Sequence, residues 1–494
     1  MVKEIKKEPG RTFSEFSLLT DYTANDCTIR DINLETILYS SPDNPNDSGD
    51  NKNLRLKIPF LSAAMTSVTG YDMALALGKE GGLAVLPVRM PQQDVVDIIK
   101  RIKSYEMSFV ESPIKINENE TIERVMSIIK EYGHSTIPVT DRNNIFLGMF
   151  TEEHYLETDV GNKDNIKSAM IGIGSNDILC YNNPSIGVED AKKLLDQKNK
   201  NYLVVLDEQN RLVKLAFKRD IDKIKIGAAI STHSRWKERV EAIVGAGVDL
   251  VVVDTSDAYN EFTRNIIKEY KEDLKINIPL CVGNIITYDG AKFLMDSGAD
   301  IIKVGMSSGS ICSTQREKAV GRAPMSALID VDKARKKYFK ENRRDVPIII
   351  DGGITSSADM IIALTIADAM MMGYYFNRFY EAAGKKLDKN RNETTEHNNI
   401  LEVETWGEGS SKAQNLDRYG HFSKRTFFPE GEEGTVPYAG RLKPNLSMDL
   451  KKIRSALSNT GCKNLEEFRK KSVLEVLSLE SKIIVSDVHH INRG

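Results

Sequence analysis

The stretch VGMSSGSICSTQREKAVGRAP, Val304 to Pro324, places one cysteine, Cys312, behind a Gly/Ser-rich turn that follows an apolar run. A turn of that kind sets the sulfur on an exposed loop among backbone N–H groups, surroundings that favour thiolate and suit nucleophilic catalysis. A lone cysteine is more often an inert packed thiol. Here the turn, the neighbouring Thr314, Gln315 and Arg316, and the lack of a continuous hydrophobic pattern favour the reactive reading. Cys27, Cys180, Cys281 and Cys462 are widely separated and form no CxxC, which argues for free thiols and against a disulfide framework or a zinc site. The seven histidines form no HExxH or similar ligand spacing, so a catalytic transition metal is not expected.

Those residues must be positioned by a regular scaffold. From about Lys237 to Gly373 the chain repeats one unit: a helical period, a Gly or Ala, an Asp, then an apolar run. GAGVDLVVVD (Gly245 to Asp254), DSGADIIKVG (Asp296 to Gly305) and IADAMMMG (Ile366 to Gly373) are its clearest copies, with IPLCVGN and VPIIIDGG as further strands. Runs without polar alternation, such as Leu250 to Val253, fit parallel strands covered on both faces, hence an α/β barrel or a doubly wound sheet. Five strands in succession end in polar or Gly-rich residues, at Asp254, Gly283-Asn284, Gly305, Asp351-Gly352-Gly353 and Gly373. Turn residues punctuate strands everywhere, but five such ends in a row favour a site on the face where barrel strands terminate.

At 494 residues the chain exceeds one ordinary core, so a barrel plus a smaller domain is expected. A net charge of −3 gives no field that would draw it onto nucleic acid or an anionic membrane, and small-molecule chemistry is the better expectation. The N-terminus carries no apolar h-region, and the longest apolar stretch, Met360 to Phe376, is interrupted by Asp368, so a cytoplasmic protein is expected.

Between residues 108 and 224 the pattern changes and repeats on itself at an offset of 66 residues, with Asp141 falling on Asp207 and Thr136-Ile137-Pro138-Val139-Thr140 on Tyr202-Leu203-Val204-Val205-Leu206. The pair resembles tandem cystathionine-β-synthase-type (CBS, Bateman) modules, many of which bind purine nucleotides. Copy one has Thr151 with His154 and copy two Phe217 with Asp220, so each keeps half of the usual Thr and Asp pair, and both nucleotide regulation and an assembly role remain open. Ser40 to Asn53 and Gly384 to Asn399 read as polar loops, the second at the root of a segment that could act as a flap.

The GSIC-x-T loop, with IPFLSAAMTSVTG, VVVDTSD, VGNIIT, IIIDGGI, MMMGYYF, WGEGSS and VPYAG in order, resembles the IMP dehydrogenases over essentially the whole chain. That resemblance implies a (β/α)8 TIM barrel in two parts, residues 1–107 and 225–494, around the CBS insert, with a catalytic loop at about 305–324 and a flap at about 383–432. It implies that the Cys312 thiolate attacks C2 of IMP, that hydride passes to NAD, and that water releases XMP. Arg418-Tyr419 on the flap and the Thr314 hydroxyl match the water-activating groups. Arginine has a free pKa far above neutral and needs a desolvated, hydrogen-bonded setting to act as a base.

By the same resemblance, phosphate is expected at Ser310 and at the amides of Gly353 and Gly373, where glycine lets the chain approach an anion. Asp351 is expected on the ribose, with Met65, Asn284, Thr405, Glu408, Gly409 and Glu430 around the nucleotide and Asp254, Ser256 and Gly305 on the nicotinamide side. Potassium is expected on carbonyls of Ser307, Gly309 and Cys312, and the assembly as a homotetramer or octamer. No GxGxxG follows a strand, so the dinucleotide is not expected in a Rossmann crevice.

The chain departs from the family pattern at Ser307, Ser313, Tyr374 and Thr405, and around Ser486-Asp487-Val488 in the tail, where the family's Glu-Gly-Gly contributes to the potassium site. GMP reductase is the nearest rival, sharing the barrel and Cys-x-Thr loop but generally lacking the Arg-Tyr flap. A catalytically silent, nucleotide-sensing or assembly protein is the second alternative.

Overall fold

Eight short apolar runs pair side by side into a closed parallel barrel: β1 (Phe60–Ser62), β2 (Leu83–Leu86), β3 (Ile226–Ile230), β4 (Leu250–Asp254), β5 (Leu280–Ile285), β6 (Ile301–Val304), β7 (Ile348–Asp351) and β8 (Ala369–Met372). Met370 beside Phe60 and Met371 beside Leu61 close the ring. This architecture is taken from a computed structural model that describes residues 5–40, 53–105, 109–132, 136–155, 158, 160–161, 163–218, 223–232, 235–306, 314–410, 412–413, 431–478 and 480–481. The expected TIM barrel is therefore the observed one.

Helices α1 (Tyr71–Lys79), α2 (Gln92–Lys103), α3 (Trp236–Gly245), α4 (Glu261–Lys268), α5 (Tyr288–Asp296), α6 (Pro324–Asn342), α7 (Ser357–Leu364) and α8 (Leu442–Asn459) surround the strands, with α8 packed on both α7 and α1. Strand side chains alternate between two cores because successive residues face opposite sides. Leu250 and Val252 of β4 join Cys281, Ile301, Ile349 and Met371 in the lumen, whereas Val251 and Val253 pack outward against the helices. The same alternation brings Asp254, Gly283, Lys303 and Asp351 into the last lumen layer, at the carboxyl ends of their strands.

The opposite end is closed. A hairpin of Thr36–Tyr39 and Leu54–Leu56 inserts Leu38, Leu54 and Leu56 into the inner core, and Thr36 Oγ1 donates to the Asp368 carbonyl at 2.9 Å. The aspartates of the repeated sequence unit do one structural job three times. Asp249, Asp300 and Asp368 accept from the first amides of β3 (2.7 Å), β5 (2.9 Å) and β7 (2.8 Å). Each also meets a cation from the helical segment before that strand, respectively Lys103, Lys271 and Arg335. The Asp of the repeated unit is thus a backbone acceptor, buried at Asp300 and Asp368 and partly exposed at Asp249, that ties neighbouring barrel strands together.

The insert leaves the barrel between α2 and β3. Ile116–Asn117, Thr136–Thr140, Phe146–Thr151 and Met170–Gly172 form one sheet, and Ile178–Tyr181, Tyr202–Leu206 and Leu212–Phe217 a second. Their helices, Ile122–Tyr132 and Val188–Lys198, start at equivalent positions of the two copies. Phe146 N donates to Asn210 O at 3.1 Å and Leu212 N to Asn144 O at 3.0 Å, a reciprocal exchange between equivalent residues.

Part of the segment expected as loop is ordered sheet: Lys386–Leu387 pairs with Glu402–Trp406, which pairs with Glu433–Pro437. Its polar sequence hid a strand that gains its partners only from residues beyond it. Ser40 and Asn53 bracket a stretch that lies outside the described residues. Among the described residues no helix is long and apolar enough to cross a membrane, and Cys27, Cys180, Cys281 and Cys462 are free thiols.

Candidate active site

Lys303 is the central group at the open end of the barrel. It lies on β6 with 1% of its side chain exposed, and its ammonium donates to Asp254 Oδ1 at 2.8 Å, to Asp351 Oδ2 at 2.7 Å and to the Asn284 side-chain carbonyl. Asn284 closes the cluster by donating to Asp351 Oδ2 at 3.1 Å. Burial opposes the charged amine, but the carboxylates of Asp254 and Asp351 outweigh it and raise the lysine pKa above its ordinary value. Lys303 is therefore a fixed cation that orients two carboxylates. The sequence reading missed it, although one charge inside the apolar run DIIKVG was the available signal.

Next to this cluster opens a cleft of ≈ 1590 Å³ whose lining includes Met65, Asp351, Gly353 and Gly373 among the residues singled out from sequence. Gly352 and Gly353 take φ of +83° and +78°, a left-handed pair that a side chain would strain and that lets the backbone follow an anion. Gly373 is needed for packing: a Cβ there would stand 2.9 Å from Met65 Sδ.

A second polar group comes from the strand Glu402–Trp406 and the turn after it. Glu408 accepts from Thr66 N at 2.6 Å and from Thr66 Oγ1 at 2.8 Å, while Trp406 Nε1 donates to Thr66 Oγ1 at 2.8 Å. Burial pushes the Glu408 pKa up, against the Thr66 donors and the Arg89 guanidinium 3.7 Å away. Thr66 and Arg89, also missed in the sequence reading, thus fix the segment beside Met65. Thr405 is only 5% exposed and is not among the cleft-lining residues, nor are Asn284, Glu408, Gly409, Asp254, Ser256 and Gly305. Asp254 and Asn284 reach the cleft's edge through their bonds to Lys303 and Asp351.

Ser307, Gly309, Ser310, Cys312, Arg418, Tyr419 and Glu430 lie outside the described residues. Thr314 begins the short helix Thr314–Lys318, beyond which Arg322 pairs with Asp330 at 2.6 Å. Cys281, the nearest described thiol to the cluster, is fully buried in the lumen, and burial raises its pKa to about 12, which removes it as a nucleophile.

A closed parallel barrel with oriented carboxylates and glycine-rich strand ends at its carboxyl face defines the (β/α)8-barrel class, with its candidate site on the face where such enzymes carry theirs. The family model for the IMP dehydrogenase / GMP reductase domain matches residues 10–489, and the chain belongs to that family. It is 32% identical to inosine-5'-monophosphate dehydrogenase from Tritrichomonas foetus, over 98% of this chain and 96% of that protein. It is 29% identical to the enzyme of the same name from Methanocaldococcus jannaschii, over 90% and 91%. Among solved structures, a cysteine-to-alanine variant of GMP reductase from Trypanosoma brucei in complex with guanosine 5'-monophosphate superimposes with a TM-score of 0.67 at 22% identity, covering 98% of both chains, a likeness of fold.

Proposed function

We propose that this protein is an NAD-dependent IMP dehydrogenase that oxidises IMP to XMP through a Cys312 thioimidate. The observation that carries the reading is the Lys303-held pair of Asp254 and Asp351, at the mouth of a family-matched barrel beside the Gly352-Gly353 turn. Asp351, held through Oδ2 and 21% exposed, suits a carboxylate accepting from ribose hydroxyls. The amides of Gly353 and Gly373 suit the phosphate. Asp254, held through Oδ1 and 26% exposed, suits an acceptor for a carboxamide donor, which fits the nicotinamide end of NAD.

In the proposed cycle the Cys312 thiolate forms a C–S bond at purine C2, and the C2 hydrogen departs with its electron pair. NAD, when bound, supplies the acceptor for that hydride. Water then adds at the same carbon as Arg418, aided by Tyr419 and Thr314, takes its proton, and the C–S bond breaks to return the thiol and XMP. Carbonyls of Ser307, Gly309 and Cys312 would hold a potassium ion that braces this loop. A purine nucleotide on the insert and a homotetramer complete the proposal, checked by calorimetric titration and by light scattering.

The test is NADH formation from IMP and NAD, with intact mass to detect an XMP-sized adduct that disappears in Cys312→Ala. NADPH consumption with GMP and no NADH from IMP would assign the reductase instead. Nucleotide binding without any turnover would leave a scaffold.

A further inference from the structure

We infer that the N-terminal arm, residues 6–12, is the outer wall of the phosphate end of the substrate cleft, with Lys6, Lys7, Arg322 and Lys333 supplying its countercharge. The inference rests on the proposed IMP substrate, whose phosphate is a dianion. Amides at Gly353 and Gly373 offer donors but no full charge, and Lys303 is already committed to Asp254 and Asp351. The remaining cations line the same cleft as those amides.

Asp330 gathers three of them: Arg322 at 2.6 Å, Lys6 at 3.8 Å and Lys333 at 4.0 Å. Lys7 and Glu8 also line the cleft, and with Asp351 already paired to Lys303 four cations face two carboxylates, leaving a positive excess that matches a dianion. Arg11 is set apart by its own pairing with Glu15 at 3.4 Å.

The arm is held there by its backbone. Arg11 N donates to Ser326 Oγ at 2.8 Å, Arg11 O accepts from Met325 N at 3.1 Å, and Phe13 beyond it is 1% exposed. Gly10 permits the approach, since a Cβ there would meet the Ala323 Cβ at 3.0 Å. The lysine side chains take no part in these backbone bonds, and Lys6 adds only a long, largely solvated pair with Asp330 at 3.8 Å, so their charge can be removed while the strap stays in place. Their ammonium groups act across solvent and are sensitive to salt.

Steady-state kinetics of Lys6→Ala/Lys7→Ala is the test. For two partly solvated charges the KM for IMP should rise roughly three- to tenfold at low ionic strength, with kcat and the KM for NAD held and the difference shrinking as salt is added. Lys6→Glu/Lys7→Glu should raise it further. Binding of inosine, which lacks the phosphate, should be equal in all three proteins. An unchanged KM for IMP in both variants, or inosine weakened as much as IMP, overturns the role of the arm while wild-type turnover still supports the substrate. A wild-type protein that makes no NADH from IMP overturns both.

Discussion

Lys303 Nζ stands 2.7 Å from Asp351 Oδ2, joining neighbouring barrel strands at the floor of the cleft. With the same nitrogen on Asp254, one buried cation holds two carboxylates that would otherwise repel each other. Lys303→Met keeps the volume but leaves both acids facing a poorly solvated layer. Because each is about a quarter exposed, the loss is expected below the full cost of an orphaned buried ion, at ~2–4 kcal/mol in urea unfolding. A midpoint equal to that of the wild type would show that solvent, and not lysine, carries these charges.

Gly373 and Met65 meet where β8 ends against the segment after β1. Gly373→Ala forces its Cβ to within 2.9 Å of the Met65 sulfur, so Met65 must turn out of its place in the cleft. A destabilisation of roughly 1–3 kcal/mol is expected from such overpacking, together with a higher KM for IMP. Adding Met65→Ala should recover most of the stability, and a double-mutant cycle measures the coupling. Additive effects would rule out the contact as the cause.

His397, in the short helical turn His397–Asn399 before the strand Glu402–Trp406, offers a pH-dependent readout. Its Nε2 accepts from Arg441 at 2.8 Å, so Nδ1 carries the proton and donates to Tyr438 Oη at 2.9 Å, with the Tyr380 ring 4.0 Å away. Burial first, then the Arg441 charge, push its pKa below 6.5. The folded state therefore prefers the neutral ring: its contribution is whole above the ordinary imidazole pKa and is lost as the pH falls through 6.5 toward the lowered folded value. Protonation would turn Nε2 into a donor facing a guanidinium, with Glu381, 3.9 Å from Arg441, as the neighbouring acid. Hydrogen exchange in Glu433–Pro437, after correction for intrinsic rates, should accelerate in that range relative to β6, and His397→Gln should abolish the difference. Equal acceleration in β6 would refute a local origin.

Apolar runs such as Leu250–Val253 and Ile348–Ile350 can be covered only on both faces, so parallel strands under helices were legible from residue order, while the choice of a barrel over a doubly wound sheet came from the family resemblance. The internal repeat of the insert and the glycine-rich strand ends were legible for the same reason, because local periodicity and backbone permissiveness are written in neighbouring residues. Loop versus strand was not legible for Lys386–Leu387, whose pairing partner Glu402–Trp406 comes later in the chain.

What the sequence by itself determined was which faces must be buried and where the backbone can turn sharply. Only the tertiary structure decided that Lys303 is a shared counter-ion, that Asp249, Asp300 and Asp368 fasten strands instead of doing chemistry, and that Thr66 holds Glu408. Those roles depend on distance and dielectric between residues far apart in the chain, and closure of the barrel is the event that sets both.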